Sequence, residues 1–391
     1  MFLHQCNITN YKSIEACKVK LQPLNFLIGP NGSGKSNFLD ALRFVSESLQ
    51  TSLGHAIQDR GGLSQIRRKT SGHPTHFSIA LQGEINTKPY YYAFKIGATS
   101  SYGFEVTQEL CKTTEGHYEI KKGTIASCSL HSPPKPSLDR LYLVSASGLI
   151  EFRPLYDALS SMGFYNIQPD KVKNLQFPEA GTLLARDGHN LASVLKAMAS
   201  ASPQALDKVV RFLSRIVPGL KAVEPVALER MLTLDFIQTS EDEEARWRFP
   251  ALSMSDGTLR ALAILVALYQ PAVQAQVPLV GIEEPEAALH PAAGGVLMDA
   301  LRGALDRTQV IITSHSPDLL DHDALRHEEI LVVQKQAGKT AIGPLDEASR
   351  GALKEHLYTG GEMLRAQQLW MDPQARIRPA QIPLAYPKDA P

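Results

Sequence analysis

The apolar run LNFLI (24–28) leads directly into Gly29-Pro30-Asn31-Gly32-Ser33-Gly34-Lys35-Ser36, and after Ser36 the residues Phe38, Leu42, Val45 and Leu49 recur at helical spacing. A strand, a glycine-rich loop and an amphipathic helix in that order leave few folds open. Glycines admit positive φ angles and close backbone approach, so successive N–H groups and the following helix N-terminus can face a phosphate. Lys35 adds a cation at the β- and γ-oxygens, and the Ser36 hydroxyl is a magnesium ligand. The complete G-x4-G-K-S pattern is a strong signal for nucleotide binding. By itself it specifies no reaction.

The chain has 391 residues, enough for one large or two ordinary domains, and its 43% hydrophobic content is that of a globular core. Lys+Arg and Asp+Glu stand at 40 each, so no global basic field announces nucleic acid, and a local basic face stays open. Cys6, Cys17, Cys111 and Cys128 show no metal-binding spacing, and the start MFLHQCN lacks a basic segment followed by an apolar one. A reducing cytoplasm is expected. The most apolar helix-like run, Leu259 to Tyr269, is short of the ~20 residues that cross a bilayer and carries Arg260.

Residues 2–9 and 17–28 read as strands around the turn Asn10-Tyr11-Lys12-Ser13. Alternating and aromatic runs from about 75 to 145 predict an antiparallel β layer, closed by the Pro-rich 131–137. Residues 152–220 read as mainly helical, with capping signals at Asp187 and Asn190. From 230 onward MLTLDFI, a 258–270 helix, VPLVGIE, a 291–305 helix, QVIITS and EEILVVQ alternate as in a parallel sheet. The last 20 residues are Pro-rich and read as a loosely held tail. The expected divisions are an N-terminal lobe over 1–150, a helical insertion over 151–229, a second lobe over 230–345, and a helix with its tail over 346–391. The fold class is α/β.

Three further elements carry chemistry. In VPLVGIEEPEAALHP an apolar strand delivers Glu283 and Glu284 to its C-terminal end, where sheets of this class place ligands. Glu283 would hold magnesium through water, and Glu284 would orient or deprotonate an attacking water. In LSMSDGTLRALAIL, Ser255, Asp256 and Gly257 form a helix start suited to an anion. Because the chain already has a phosphate loop, a second such start suits another subunit's nucleotide. His315 stands where the apolar strand QVIITS ends and would point into the same cleft edge as Glu284.

The set resembles the ABC-type ATPase heads of the RecF, SMC and overcoming-lysogenization-defect group. The resemblance covers roughly residues 1–335 through ITNYKS, GPNGSGKSN, SDGTLR, VGIEEPE, AALHP and TSHSP, and ARDGHNLASVL (185–195) is similar to another element of that group. It implies a P-loop head with a mixed and parallel sheet, an antiparallel layer and a helical signature subdomain, working with ATP and Mg2+. Asn31, Gly32, Ser33, Gly34, Lys35, Ser36 and Asn37 would then cradle the nucleotide, with Ser36 and Glu283 toward the metal. Lys35, Glu284 and His315 would act in hydrolysis, and Ser255 and Gly257 would contact the γ-phosphate across a head-to-tail dimer. Gln168 is a candidate for the loop that couples nucleotide to the helical subdomain and reaches the metal; a surface glutamine is the alternative. Glu283 departs from the common Asp by one methylene, and SDG from SGG.

The resemblance leaves the purpose of ATP open. Ser255 lies 219 positions after Ser36, much of the stretch between them reads as the β layer and helical insertion of this group and argues against a transporter head, and no sustained heptad seam supports SMC arms. Asp321 and Asp323 form a DxD with no apolar strand immediately before it and too little chain after it for a fused nuclease. One reading is an ATPase engaged in a DNA transaction, in repair or anti-phage defence, with a separately encoded nuclease effector and possible double-stranded DNA. The other is an ATP-switched scaffold that holds an effector protein. Arg67, Arg68 and Lys69, and Lys171 with Lys173, are candidate phosphate contacts; short basic clusters are commonly solvated surface.

Overall fold

Pro23 divides the apolar run that the sequence pattern reads as one strand over 17–28. Proline gives no N–H to a ladder, and the chain forms β1 (Phe2–Tyr11), β2 (Ile14–Lys20) and β3 (Leu24–Ile28). The computed structural model describes residues 1–69, 74–99, 103–239, 246–270, 277–290, 293–382 and 384–386. The loop after β3 opens α1 (Lys35–Gln50), followed by the short α2 (Leu53–Gln58) and α3 (Leu63–Ile66). Next come β4 (His76–Ile85), β5 (Lys88–Ala98), β6 (Phe104–Lys112), β7 (His117–Lys121) and β8 (Thr124–Cys128), with β5 to β8 each antiparallel to the strand before, as the alternation predicts. Helices α4 (Tyr142–Ala146) and α5 (Arg153–Ser160) follow.

The expected helical stretch is less helical than its pattern suggests. It holds β9 (Gly163–Tyr165), α6 (Pro169–Lys173), irregular chain over 174–190, then α7 (Leu191–Ala201) and α8 (Pro203–Ile216). Strands β10 (Leu220–Leu228), β11 (Met231–Thr239) and β12 (Arg246–Pro250) lead to α9 (Asp256–Tyr269). The chain continues through β13 (Leu279–Glu283), α10 (Ala293–Arg302), β14 (Gln309–Ser314) and α11 (Pro317–Leu320). It ends with β15 (Ile330–Gln336), β16 (Lys339–Pro344), α12 (Glu347–Lys354) and α13 (Gly360–Arg365).

Two compact units result. The first comprises Met1–Met162, His327–Glu355 and Leu369–Pro391. Ten of its strands lie side by side in the order β8-β7-β6-β5-β4-β1-β2-β16-β15-β3. Pairing is mixed: β1 is antiparallel to β2 and β4, while β3 runs parallel to β15 and β16 meets β2 in parallel. Phe44 of α1 packs edge-to-face on Phe77 and Tyr11, which seats the helix on the sheet. On the same helix Asp40 accepts from Tyr11 Oη at 2.7 Å and pairs with Lys12, Arg43 and Arg60. Burial alone would raise its pKa; the three cations overcome that and hold it well below the usual carboxylate range.

The C-terminal segment expected to be loose is in part docked on this unit. Leu384 and Tyr386 pack on Ala80, Tyr91, Ala93 and Leu110, and the Tyr386 hydroxyl donates to the carbonyls of Tyr118 and Cys111 at 2.6 and 3.1 Å. An aromatic ring with a satisfied hydroxyl anchors chain that composition alone marks as tail.

The second unit comprises Gly163–Arg326 and His356–Gln368. Strand β13 lies parallel between β9 and β14. MLTLDFI, expected in this parallel sheet, is instead β11, the middle strand of the separate antiparallel set β10-β11-β12. The reason is local: Leu228 pairs with Met231 across the two-residue turn Glu229-Arg230, with Glu229 at φ 52°, so β11 folds back on β10 before a distant parallel partner can compete. The predicted 258–270 helix starts earlier, as α9, and is buried from Thr258 to Tyr269 except at Arg260. Among the described residues no helix is long and apolar enough to cross a membrane.

Candidate nucleotide site

In the first unit, β3 is buried throughout and delivers the chain to the loop, and α1 begins at Lys35 after Gly34, which has φ 109°. Lys35 is nearly buried, its Nζ donating to the carbonyls of Gly29 at 2.7 Å and Pro30 at 3.2 Å, so the ammonium folds back across the loop. Ser33 is buried, whereas Asn31, Gly32 and Ser36 are exposed and Gly34 and Asn37 are half-buried. Asn37 Nδ2 donates to Ser13 Oγ at 2.6 Å, tying the first turn of α1 to the Asn10–Ser13 turn. The exposed Ser36 hydroxyl in a first helical turn is a hard oxygen donor of the kind that could hold Mg2+.

In the second unit, β13 ends at Glu283, and Glu284 turns out of it with φ 46°. The turn is held on both sides: Glu284 N donates to the Thr313 carbonyl at 2.9 Å, and Arg260 Nη1 of α9 donates to the Glu284 carbonyl at 3.3 Å. The Glu284 carboxylate then lies 3.4 Å from His315 Nδ1, both side chains nearly half exposed. Glu286 fixes the histidine's backbone, accepting from Ser314 Oγ at 2.6 Å and His315 N at 3.3 Å. Burial lowers the Arg260 pKa, countered by Glu284, Glu286 and Asp256.

The signature residues lie in this unit too. Ser255 caps α9, its hydroxyl accepting from Thr258 N at 3.2 Å, and remains exposed. At Gly257 a Cβ would sit 2.4 Å from the Ala288 carbonyl, so glycine has an intrachain steric reason at this position. Gln168 is the exposed residue before Pro169 at the start of α6; its N–H donates to the Asp187 carbonyl, and its side chain makes no capping bond.

Four residues near these groups escaped the sequence reading. Arg186 Nη2 binds Glu283 Oε1 at 2.7 Å, and its carbonyl accepts from Asn166 N, so the 185–190 turn is laced to the chain leaving β9 and ion-paired to the proposed metal carboxylate. The carboxylate is a hard oxygen donor of the kind that could hold Mg2+, with one of its oxygens paired to Arg186. Arg260 and Glu286 stand inside the SDGTLR and VGIEEPE motifs. Thr340 on β16 lies against the phosphate loop with no local signal to mark it. Lys173 pairs with Asp256 of the signature at 2.5 Å. The expected basic loop is also engaged: Arg68 pairs with Glu15 at 2.7 Å, Arg67 donates to the Pro74 carbonyl and Lys69 to Gln65, while residues 70–72 of that stretch lie outside the described residues. Asp321 of the DxD accepts from Thr359 and Arg365, a structural role.

Against known sequence families, residues 147–321 match the one described as "AAA domain, putative AbiEii toxin, Type IV TA system", and residues 1–122 match "AAA ATPase domain". Over 125 residues the chain is 30% identical to the DNA replication and repair protein RecF of Vibrio vulnificus (strain CMCP6), covering 32% of this chain and 28% of that protein. The chromosome partition protein Smc of Desulfitobacterium hafniense (strain Y51) is 29% identical over 136 residues, 34% of this chain and 10% of that protein. The chain therefore spans less than a third of these curated relatives. Among solved structures, an Smc head bound to the C-winged helix domain of ScpA superposes with a TM-score of 0.57 at 14% identity, covering 89% of this chain and 99% of that one. An Smc head with an extended coiled coil, bound to the C-terminal domain of ScpA from Pyrococcus furiosus, gives 0.53 at 12% identity, covering 91% and 99%. Fold and motifs together define an ATPase head of the ABC type. Its sequence matches lie with AAA ATPase domains and with RecF and Smc proteins.

Proposed function

We propose that the chain binds ATP on the 29–37 loop, completes each site with the Ser255–Gly257 segment of a second copy, and hydrolyses ATP within a head-to-tail dimer. The dimer serves a DNA transaction, in repair or anti-phage defence, and passes its state to a separately encoded nuclease or other effector in the cytoplasm. The observation that carries this reading is the Glu284–His315 pair at the ends of β13 and β14, held by Thr313, Arg260 and Glu286. Ser36 and Glu283 are the residues that would hold magnesium, which would supply Lewis acidity to offset phosphate charge. Glu284 accepts a proton from the attacking water as its oxygen bonds to the γ-phosphorus and the bond to the ADP oxygen breaks. His315 hydrogen-bonds the γ-phosphate oxygens and, through Glu284, registers their presence. The exposed Ser255 hydroxyl and the N-terminus of α9 are donors for an anion from outside the chain.

One observation favours the scaffold reading for the downstream role. Both basic clusters are at least partly spent inside the molecule, Arg68 on Glu15 and Lys173 on Asp256, which leaves less positive charge for DNA.

Purified variants test the shared site. Glu284→Gln should lower kcat by about 100-fold or more, because a general base contributes that much, while ATP accumulates a stable dimer in sedimentation. Ser255→Arg should bind ATP yet lose hydrolysis and dimerisation, Lys35→Ala should lose all three, and mixing these two inactive proteins should restore some phosphate release. Normal hydrolysis by monomeric Ser255→Arg would overturn the composite site.

A further inference from the structure

The phosphate loop is braced from 307 residues away in sequence. Thr340 of β16 is 2% exposed, and its Oγ1 donates to the carbonyl of Ser33 at 2.6 Å. Its position is set by main chain, since Thr340 N donates to the Ser13 carbonyl at 2.9 Å and Thr340 pairs with Ile14 where β16 meets β2. Thr340 Oγ1 also lies 2.7 Å from Ser13 Oγ, which accepts from Asn37 Nδ2 at 2.6 Å.

The proton inventory of this chain has one solution. A carbonyl only accepts, so the single hydroxyl proton of Thr340 goes to Ser33. Ser13 must then donate to Thr340, and the Asn37 amide donates to Ser13. Three bonds point the same way, from the first turn of α1 through two hydroxyls into the loop, and aligned bonds strengthen one another.

The consequence for the loop follows from peptide geometry. In a trans peptide the carbonyl and the next N–H point to opposite sides, and among the described residues there are no cis peptide bonds. Pinning the Ser33 carbonyl toward β16 therefore turns the Gly34 N–H away from β16. Gly34 has φ 109°, and a Cβ there would stand 2.3 Å from Thr340 Oγ1, so loop and threonine are in direct contact with no room for another residue.

We propose that Thr340 is a positioning residue for nucleotide binding: through Ser33 it fixes the peptide that presents the Gly34 N–H to the phosphates of a nucleoside triphosphate. This rests on reading residues 29–37 as the phosphate loop. The hydroxyl aligns the donor before the ligand arrives, so its loss weakens binding in advance of any effect on the chemical step.

Titration with N-methylanthraniloyl-ATP and Mg2+, beside steady-state hydrolysis, tests this. Thr340→Val keeps the shape and loses the hydroxyl; its Kd and KM should rise about tenfold, with kcat falling less than threefold. Thr340→Ser keeps the hydroxyl and should recover most of the affinity, which a role in packing alone would not produce. Wild-type affinity in folded Thr340→Val, or equal losses in Val and Ser, overturns the proposal. If Thr340→Val melts below the assay temperature, Ser13→Ala carries the test: it removes the donor to Thr340 and should weaken binding about threefold, and unchanged affinity overturns the proposal. Lys35→Ala is the control. Lost binding there with normal Thr340→Val sinks only the role of Thr340, whereas normal binding in Lys35→Ala sinks the phosphate-loop reading and the proposal with it.

Discussion

Glu109 is fully buried on β6, and its described partners are the hydroxyls of Tyr118 and Tyr92 at 2.9 and 3.2 Å and the N–H groups of Tyr142 and Leu143 that open α4. Burial pushes its pKa from 4.5 up to about 7, with the four donors pulling the other way. The folded protein therefore binds this proton more tightly than the unfolded chain. The stability it contributes is fully present below pH 4.5 and is lost as pH rises through about 7, a swing of about 3 kcal/mol at most. Glu109→Gln carries no titrating proton and should flatten that part of the profile. Urea melts of both proteins at pH 5 and pH 8 check it, and a wild-type slope retained in Glu109→Gln would count against titration of this group.

At the scale of elements, α9 and the turn after β13 lean on each other. Arg260 donates to the Glu284 carbonyl, and Gly257 lies under the Ala288 carbonyl, so the signature helix and the Glu284–Leu289 turn are one packed piece. Gly257→Ala puts a methyl 2.4 Å from a backbone oxygen, and one of the two elements must shift. Overpacking of this kind costs about 1–3 kcal/mol. The melting temperature should thus fall even without nucleotide, whereas a residue needed only for a partner's phosphate would leave that melt unchanged. Differential scanning calorimetry of the nucleotide-free variant separates the two.

For the whole molecule, charge is balanced in total and much of it is paired locally. Lys+Arg and Asp+Glu are 40 each, and Asp40, Glu15, Glu283 and Asp256 each take at least one cation. A protein that neutralises six or more phosphates shows a steep loss of affinity with salt, because each contact releases counterions. Here the slope of log K against log salt on a duplex should be shallow, about −1 to −3, read by fluorescence anisotropy between 50 and 200 mM salt. A slope near −6 would mean a basic face that the internal pairs do not account for, and would strengthen the DNA reading over the scaffold.

What the sequence alone determined is what contiguous residues can specify. Strand, glycine loop and helix at 24–50, the capped start of α9 at Ser255, and the apolar strands ending at Glu283 and Ser314 are local grammar, set by periodicity, φ freedom and caps within a few residues. That was enough for the α/β class and for naming Lys35, Ser36, Glu284 and His315 as candidates. Even local signals were overread where a turn intervened: Pro23 split one expected strand, and the Glu229-Arg230 turn sent β11 into an antiparallel sheet. Only the tertiary structure decided that Thr340 braces Ser33, that Arg186 holds Glu283 across 97 residues, that Glu286 fixes His315, and that Tyr386 docks a Pro-rich tail on β6 and β7. Each of these pairs a polar group with one far off in sequence. A lone threonine or arginine carries no period and no cap, and its partner exists only once the strands have stacked and buried the groups that must then find each other.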